Sequence, residues 1–204
     1  MPSLPPLPLT PTREPESHTN TGLPNASVGD PSQSNTDWYG YPVCFTIGNP
    51  APFTDTTTFS IGDQFVLTPN DTYADTNCAS SSVPPRLSIQ AHSAPIGAAF
   101  DAAFANLYIT LHGSWNRSPA TGYKVIQIPF TQLEDGSYDP VAAPNSGADG
   151  YEDIFWNEDV DSCTGNTCLR PSGITWDRAA TRMYVASDSA RAGELFVLFR
   201  ENQA

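Results

Sequence analysis

Two segments give the main indication of the fold: Pro95-Ile-Gly-Ala-Ala-Phe-Asp101 and Pro171-Ser-Gly-Ile-Thr-Trp-Asp177. Both read P-x-G-x-x-aromatic-D. They lie 76 residues apart, and the same offset places Leu107-Tyr-Ile109 on Met183-Tyr-Val185 without a gap. Alternating or continuous apolar residues in segments this short are typical of β-strands. We therefore predict two copies of one antiparallel unit, with inner strands at about 95–101 and 171–177.

A third apolar segment follows the second strand of each copy, at 124–130 and at 194–199. A unit of three or four antiparallel strands with a tight turn after the aspartate is typical of a β-propeller blade. The spacing exceeds that of ordinary blades, which predicts a long insertion at 131–169. A further blade is expected from Tyr39 to Phe45, Phe59 to Ile61 and Gln64 to Leu67. The expected class is all-β, an open partial propeller.

The composition agrees with short strands and turns, since the chain has 20 prolines and 14 glycines among 204 residues. Residues 1–37 hold eight of the prolines and show no apolar periodicity. Ordering such a segment would bury too little apolar surface to offset its conformational entropy. We predict a disordered proline-rich tail at 1–37 and one folded domain at 38–204.

Charge excludes several classes of partner. The formal net charge is −13, and Lys124 is the single lysine. Nucleic acids and anionic membrane surfaces would be repelled, so neither is an expected partner. The chain has no apolar run long enough to cross a bilayer, and its opening lacks the basic start and apolar core of a secretory signal.

The four cysteines lack the spacing of a metal site, because neither pair is C-x2-C and no histidine lies near the later pair. Disulfides are the preferred interpretation. Cys163 and Cys168 flank a short loop that a disulfide would close, which leaves Cys44 for Cys78. In a cytosolic environment all four would be free thiols. Three glycosylation sequons are compatible with secretion, and they begin at Asn25, Asn70 and Asn116.

In a propeller blade, the residues before the first strand and after the second strand face one mouth of the central channel. These positions hold the chemically distinctive residues of the chain. They are Gln90–Ser93 and Leu169–Arg170 before the first strands, and His112–Arg117 and Ser187–Arg191 after the second strands. The predicted functional site is therefore the mouth.

Several stretches resemble one known family. AHSAPIGAAF at 91–100, NLYITLHGSWNRSPATGYKVIQIPF at 106–130, RPSGITWD at 170–177 and YGYPVCF at 39–45 resemble the second half of fungal pyrroloquinoline-quinone-dependent pyranose dehydrogenases. Those enzymes belong to the sorbosone and soluble glucose dehydrogenase-like six-bladed propellers. The resemblance runs from about Trp38 to Arg200 and implies about three of six four-stranded blades.

The resemblance implies a function. In the family the quinone (PQQ) lies flat over the propeller mouth, calcium polarises its carbonyls, the sugar gives a hydride from C1, and a histidine takes the hydroxyl proton. It further implies an extracellular protein that passes electrons to an acceptor such as a cytochrome domain. The competing hypotheses are a non-catalytic partial propeller that binds carbohydrate or a partner, and a structural domain without a ligand.

Five residues become candidates for binding the cofactor. Arg170 and Arg117 suit carboxylates, Trp115 suits a ring face, and His92 and Asn116 suit hydrogen bonds to oxygen. Each has a structural alternative: Arg170 would pair with an acidic loop, and His92 would fix the first turn of its blade. His112 is expected to stabilise its loop.

The family features of the first half have no counterpart in this sequence. These are the base histidine, an Arg-Asn pair near the quinone, and an acidic segment associated with calcium. The six carboxylates at 149–161 do not match an EF-hand loop, which favours a solvated acidic surface. We therefore expect neither a catalytic base nor a metal site in these 204 residues, weak binding of the quinone and no measurable sugar oxidation by this chain alone.

Overall fold

The computed structural model describes residues 38–53, 58–164, 166–189 and 193–199, so the predicted tail at 1–37 lies outside the described residues. Most elements of the described part of the chain are antiparallel strands. The elements are β1 Cys44–Thr46, β2 Gln64–Val66, α1 Asp75–Ser81, β3 Pro95–Phe100, β4 Asn106–Leu111, β5 Lys124–Gln132, β6 Tyr138–Pro140, β7 Glu152–Trp156, β8 Pro171–Trp176, β9 Arg182–Ser187 and β10 Glu194–Phe199.

The internal repeat predicted from the sequence is confirmed. β3 and β4 recur as β8 and β9 with the same 76-residue offset, and each pair is antiparallel with a register shift after its proline. A third antiparallel strand follows in both units, β5 beside β4 and β10 beside β9. We call β3, β4, β5 and β7 the first blade, and β8, β9 and β10 the second blade.

The aspartate that ends each P-x-G-x-x-aromatic-D motif lies in the turn between the first two strands of its blade. The Asp101 carboxylate accepts the Ala105 N–H at 2.9 Å, and Asp177 accepts the Thr181 N–H at 2.7 Å. The residue that must adopt the left-handed region is Phe104 in one turn (φ 55°) and Ala180 in the other (φ 53°). Because a carboxylate can accept several N–H groups, the aspartate stabilises a tight turn that would otherwise leave donors unpaired.

The predicted insertion at 131–169 has a structural role that the sequence did not show. It contains β7, which pairs with β5 and completes the first blade, and β6, which pairs with the end of β5. The first blade therefore has four strands, while the second blade has three strands among the described residues.

The expected blade at the N-terminal side is reduced to a two-stranded sheet of β1 and β2. The segment Phe59–Ile61 is not a strand, because Ser60 and Asp63 form a turn closed by two hydrogen bonds, of 2.7 and 3.1 Å. The helix α1 was not predicted. It is joined to β1 by the disulfide Cys44–Cys78.

Two apolar layers hold the first blade. On one face, β4 and β5 pack against Leu87 and Ile89. On the other face, the first blade packs against the second through Tyr108 and Val125, with the Tyr108 and Trp176 rings 5.3 Å apart. Strand β4 is thus buried on both sides, which accounts for its continuous apolar sequence.

The inner strands β3 and β8 lie side by side where the blades meet. A Cβ atom built on Gly97 would lie 3.2 Å from the Ser172 carbonyl oxygen and 2.7 Å from the Thr110 hydroxyl. No helix among the described residues has the length and apolar character required to span a membrane.

Candidate functional site

The ends of β3, β4, β8 and β9 bring the predicted mouth positions together. Across the first blade the His112 N–H donates to the Ala94 carbonyl at 3.0 Å, and across the second blade the Asp188 N–H donates to the Arg170 carbonyl at 3.2 Å. His112 and Asp188 therefore occupy equivalent places in the two repeats, as do Ala94 and Arg170. We call this end of the two blades the mouth.

Arg170, His112 and Asp188 form a hydrogen-bonded cluster that crosses from one blade to the other. The Arg170 Nη2 lies 2.9 Å from His112 Nδ1, and His112 Nε2 lies 2.6 Å from Asp188 Oδ1. The Arg170 Nε lies 3.9 Å from that same carboxylate oxygen, which is beyond hydrogen-bond distance. The exposed fractions of the Arg170 and His112 side chains are 23% and 17%.

The donors and acceptors in this cluster have one consistent assignment. A guanidinium group only donates, so His112 Nδ1 accepts the hydrogen bond from Arg170. Nε2 then carries the imidazole proton and donates it to Asp188. Both ring nitrogens of this neutral imidazole are engaged by protein groups.

The main chain that carries Arg170 is fixed on both sides. The Arg170 N–H donates to the Ser187 hydroxyl at 3.0 Å, and Ser187 is buried. The preceding residue, Leu169, is held by the Asn157 side chain, whose Oδ1 accepts the Leu169 N–H at 3.1 Å and whose Nδ2 donates to the Leu169 carbonyl at 3.3 Å. Arg170 therefore directly precedes β8 on a well-anchored backbone.

The disulfide Cys163–Cys168 closes the turn immediately before this anchor. Both predicted disulfides are thus present, and the described residues hold no free cysteine.

The loop from His112 to Tyr123 carries three of the candidates. Ser114 and Thr121 pair across its base, with the Ser114 N–H donating to the Thr121 carbonyl and the Thr121 N–H donating to the Ser114 hydroxyl. The Tyr123 ring covers Gly113 so closely that an added Cβ would lie 2.5 Å from it. A packed base therefore supports an exposed tip.

The candidates on this loop differ in exposure. Trp115 is 91% exposed, Asn116 is exposed, and Arg117 is half-buried. His92 lies outside the loop, in the turn closed by the Ser93 hydroxyl and the Gln90 carbonyl, where its φ is 58°. The roles assigned to these four residues stay predictions. Arg191 lies outside the described residues.

The acidic stretch at 149–161 contributes carboxylates to contacts within the protein. No group of three or more histidine, cysteine or acidic side chains within the described ranges is arranged to hold a metal ion. Two of its carboxylates have other contacts: Asp153 binds Lys124 at 2.9 Å, and Asp159 accepts the Ser162 hydroxyl at 2.7 Å.

Sequence reasoning missed three residues of this site. Asp188 was placed at the mouth without a role, Asn157 was not a candidate, and His112 was assigned only to its loop. The signal for the first and last of these was present, because His112 and Asp188 follow equivalent strands at the repeat offset. Nothing in the sequence indicated the double hydrogen bond from Asn157.

A family model described as TrAA12-like matches residues 15–201. The chain belongs to the TrAA12-like family. The resemblance stated from the motifs is therefore confirmed, and the match begins inside the segment predicted to be a tail. A pyrroloquinoline quinone-dependent pyranose dehydrogenase of Coprinopsis cinerea is 35% identical to this TrAA12-like chain over 188 residues, which cover 90% of the chain and 26% of that enzyme.

Solved structures agree with the fold of this TrAA12-like chain. The holo form of the pyranose dehydrogenase PQQ domain from Coprinopsis cinerea superposes with a TM-score of 0.76 at 35% identity, covering 84% of the chain and 42% of that domain. The calcium structure of a Trichoderma reesei family AA12 carbohydrate-active enzyme gives 0.70 at 32% identity, covering 80% of the chain and 38% of that structure. The chain thus spans less than half of each relative, and the expected partial propeller is confirmed.

Proposed function

We propose that this chain forms part of a pyrroloquinoline-quinone-dependent dehydrogenase that oxidises pyranose or aldose sugars. The chain contributes residues at the mouth that bind the cofactor. The observation that carries the proposal is the placement of Arg170 at the mouth, where it contacts the neighbouring blade through His112. The name of the 35% identical relative supports the cofactor and the substrate class.

The residues present fit a carboxylate-bearing cofactor. A guanidinium group is planar, remains charged at every relevant pH, and offers paired N–H donors that match a carboxylate. Arg170 is held in a partly buried place, where a charged hydrogen bond is less weakened by water than at an open surface. Arg117, Trp115, Asn116 and His92 are proposed as further contacts.

Pyrroloquinoline quinone supplies a two-electron acceptor for the oxidation of the sugar. The base that takes the hydroxyl proton is not His112, because its Nδ1 accepts from Arg170 and its Nε2 donates to Asp188. We propose calcium as a second cofactor on the strength of the calcium-containing relative, with ligands outside the described residues. An extracellular location and an electron acceptor such as a cytochrome domain are proposed from the family resemblance.

An alternative function is a partial propeller that binds carbohydrate or a partner without redox chemistry. The specific observation in its favour is Trp115, a bare indole presented on a packed loop at the mouth. Exposed aromatic rings of this kind offer a flat apolar face for another ring.

The test is titration of the 204-residue chain with pyrroloquinoline quinone, followed by calorimetry. We expect weak binding that Arg170→Ala weakens further by about 10- to 100-fold, the value of a lost charged hydrogen bond. The matched control is Arg178→Ala, since Arg178 lies exposed beyond the other end of β8. Equal affinities for the wild type and Arg170→Ala would remove Arg170 from the cofactor site.

Turnover is tested by dye reduction with quinone, calcium and an aldose. The 204-residue chain is expected to show no measurable rate, because the family resemblance implies that the base histidine belongs to the half of the propeller that has no counterpart in this sequence. A chimera in which residues 38–199 replace the aligned segment of the Coprinopsis cinerea PQQ domain is expected to be active. Robust turnover by the chain alone would contradict the proposed division of the site.

A further inference from the structure

Arg170 and Asp188 form an ion pair within the second blade without a direct hydrogen bond. The distance from Arg170 Nε to Asp188 Oδ1 is 3.9 Å, whereas His112 Nε2 approaches that same oxygen to 2.6 Å. His112, from the other blade, therefore makes the shorter contact with this carboxylate and connects it to the guanidinium.

The backbone geometry makes this arrangement specific. Residues 112 and 188 are each fixed by a cross-strand hydrogen bond at the mouth, to the carbonyls of Ala94 and Arg170. The imidazole is consequently delivered from an anchored position rather than from a flexible loop. Since the exposed fraction of its side chain is 17%, solvent competes weakly for its two nitrogens.

The hydrogen bonds of the cluster run in one direction, from donor to acceptor, starting at Arg170 and ending at Asp188. Arg170 donates to Nδ1 of His112, and Nε2 of His112 donates to Asp188. The carboxylate fixes the proton on Nε2, and this leaves Nδ1 as an acceptor that orients the guanidinium.

We propose that His112 and Asp188 are positioning residues for Arg170, forming a hydrogen-bonded relay between the blades that fixes the guanidinium and directs it to a carboxylate-bearing ligand. The proposal rests on the proposed function in taking that ligand to be pyrroloquinoline quinone. It also makes the blade interface a functional element, since the relay exists only when the two blades are packed together.

The first measurement needs no cofactor. Long-range proton–nitrogen correlation spectra of the 204-residue chain report which imidazole nitrogens carry hydrogen. We expect His112 to show an unprotonated Nδ1 and a protonated Nε2, and we expect Arg170→Ala or Asp188→Asn to change this signature. A tautomer protonated on Nδ1, or a signature unchanged by both substitutions, would overturn the relay.

The second measurement is the affinity for pyrroloquinoline quinone by calorimetry. His112→Gln keeps one acceptor and one donor and is expected to retain affinity within about 3-fold, whereas His112→Leu is expected to lose about 5- to 10-fold. In the Arg170→Ala background His112→Leu should have no further effect, because the residue acts through Arg170. Circular dichroism of each variant confirms that it folds. If His112→Leu does not fold, His112→Gln is used in its place.

The outcomes distinguish the positioning role of His112 from the proposed cofactor site at Arg170. If Arg170→Ala weakens binding and His112→Leu does not, or if the two effects simply add, the positioning role is wrong while the proposed cofactor site stands. If Arg170→Ala leaves the affinity unchanged, the proposed site is wrong and the positioning role fails with it. Loss of affinity in His112→Leu with recovery in His112→Gln supports both.

Discussion

Asn157 shows how a single amide side chain fixes the beginning of β8. Its Nδ2 donates to the Tyr123 carbonyl at 2.9 Å and to the Leu169 carbonyl at 3.3 Å, while its Oδ1 accepts the Leu169 N–H. The side chain thus replaces the backbone partners that a neighbouring strand would supply at this point. Because Leu169 directly precedes Arg170, this contact bears on the position of the guanidinium.

Asn157→Asp is therefore expected to destabilise the fold. The aspartate keeps the shape but cannot donate, so two carbonyl oxygens would lose their donor and face a carboxylate. The expected loss in the free energy of unfolding is about 1–3 kcal/mol, measured by urea denaturation. The control Asn166→Asp, in the exposed turn closed by Cys163 and Cys168, should change it by less than about 0.5 kcal/mol. A stability equal to wild type would contradict the role given to Asn157.

Asp101 and Asp177 stabilise equivalent turns through their charged forms. Burial by itself would raise the pKa of Asp101, but hydrogen bonds from the Asn106 side chain and the Ala105 N–H outweigh it and hold the pKa below 3.8. The N–H of Thr181, followed by that of Arg182, lowers the pKa of Asp177 below the same value. Both carboxylates thus favour the folded state when ionised.

The sign of the pH dependence follows from those lowered pKa values. Stabilisation by Asp101 and Asp177 is complete above their ordinary value of 3.8 and is lost as the pH falls through the lower values of the folded protein. The Asp101→Asn, Asp177→Asn double variant should therefore lose less stability than wild type between roughly pH 5 and pH 2.5. Denaturation curves at each pH measure this, with Asp161→Asn as the control. Parallel pH profiles for the double variant and wild type would refute the assignment.

At the scale of elements, one repeated glycine has different surroundings in the two blades. Gly97 in β3 faces the neighbouring inner strand, so a Cβ there would lie 2.7 Å from the Thr110 hydroxyl and 3.2 Å from the Ser172 carbonyl. The equivalent Gly173 in β8 has only the Ala186 Cβ near it, at 3.7 Å. The first glycine permits the close approach of the blades, whereas the second does not limit it.

The two alanine substitutions form a matched pair. Gly97→Ala should cost about 1–3 kcal/mol, because the added methyl group would lie 2.7 Å from the Thr110 hydroxyl of its own blade and 3.2 Å from the Ser172 carbonyl of the neighbouring blade. Gly173→Ala should be neutral or stabilise by up to about 1 kcal/mol, since alanine restricts the unfolded chain. Thermal or urea unfolding measures both. Equal effects of the two substitutions would contradict the tighter surroundings of Gly97.

On the scale of the whole molecule, the second blade leaves an apolar face uncovered. Leu195, Val197 and Phe199 of β10 are 65%, 39% and 69% exposed, while the alternate residues Phe196 and Leu198 pack toward the first blade. By the repeat, this face corresponds to the face of the first blade that the second blade covers. Exposed apolar strands of this kind favour association with another chain.

We expect the 204-residue chain to self-associate through this face at micromolar concentrations. The Leu195→Lys, Val197→Lys double variant should remain monomeric in sedimentation velocity, whereas Val141→Lys, at an exposed apolar residue of the first blade's long connection, should behave as wild type. The net charge of −13 opposes association at low salt, so the comparison belongs at about 0.15 M salt. A wild-type chain that stays monomeric at about 100 μM under these conditions would contradict the expectation.

Local patterns predicted much of this molecule. The P-x-G-x-x-aromatic-D repeat located β3 and β8, and the cysteine spacing predicted both disulfides. The prediction of a strand at 59–61 was wrong, because Gly62 and Asp63 form a turn there despite the apolar residues of the segment. The role of β7 was missed because a strand that closes a blade from within a long connection has no repeat partner to reveal it.

From the sequence alone we could predict the strands of the internal repeat, the tight turns after Asp101 and Asp177, and which strand ends share the mouth. These properties follow from apolar periodicity and from the few residue types that a tight turn accepts. Both are local features of the sequence. The packing of the two blades sets the contact of Arg170 with His112, the short contact of His112 with Asp188, and the tighter surroundings of Gly97 than of Gly173. Those facts depend on the angle and separation at which two sheets pack, which is set by many buried side chains together and by no single motif.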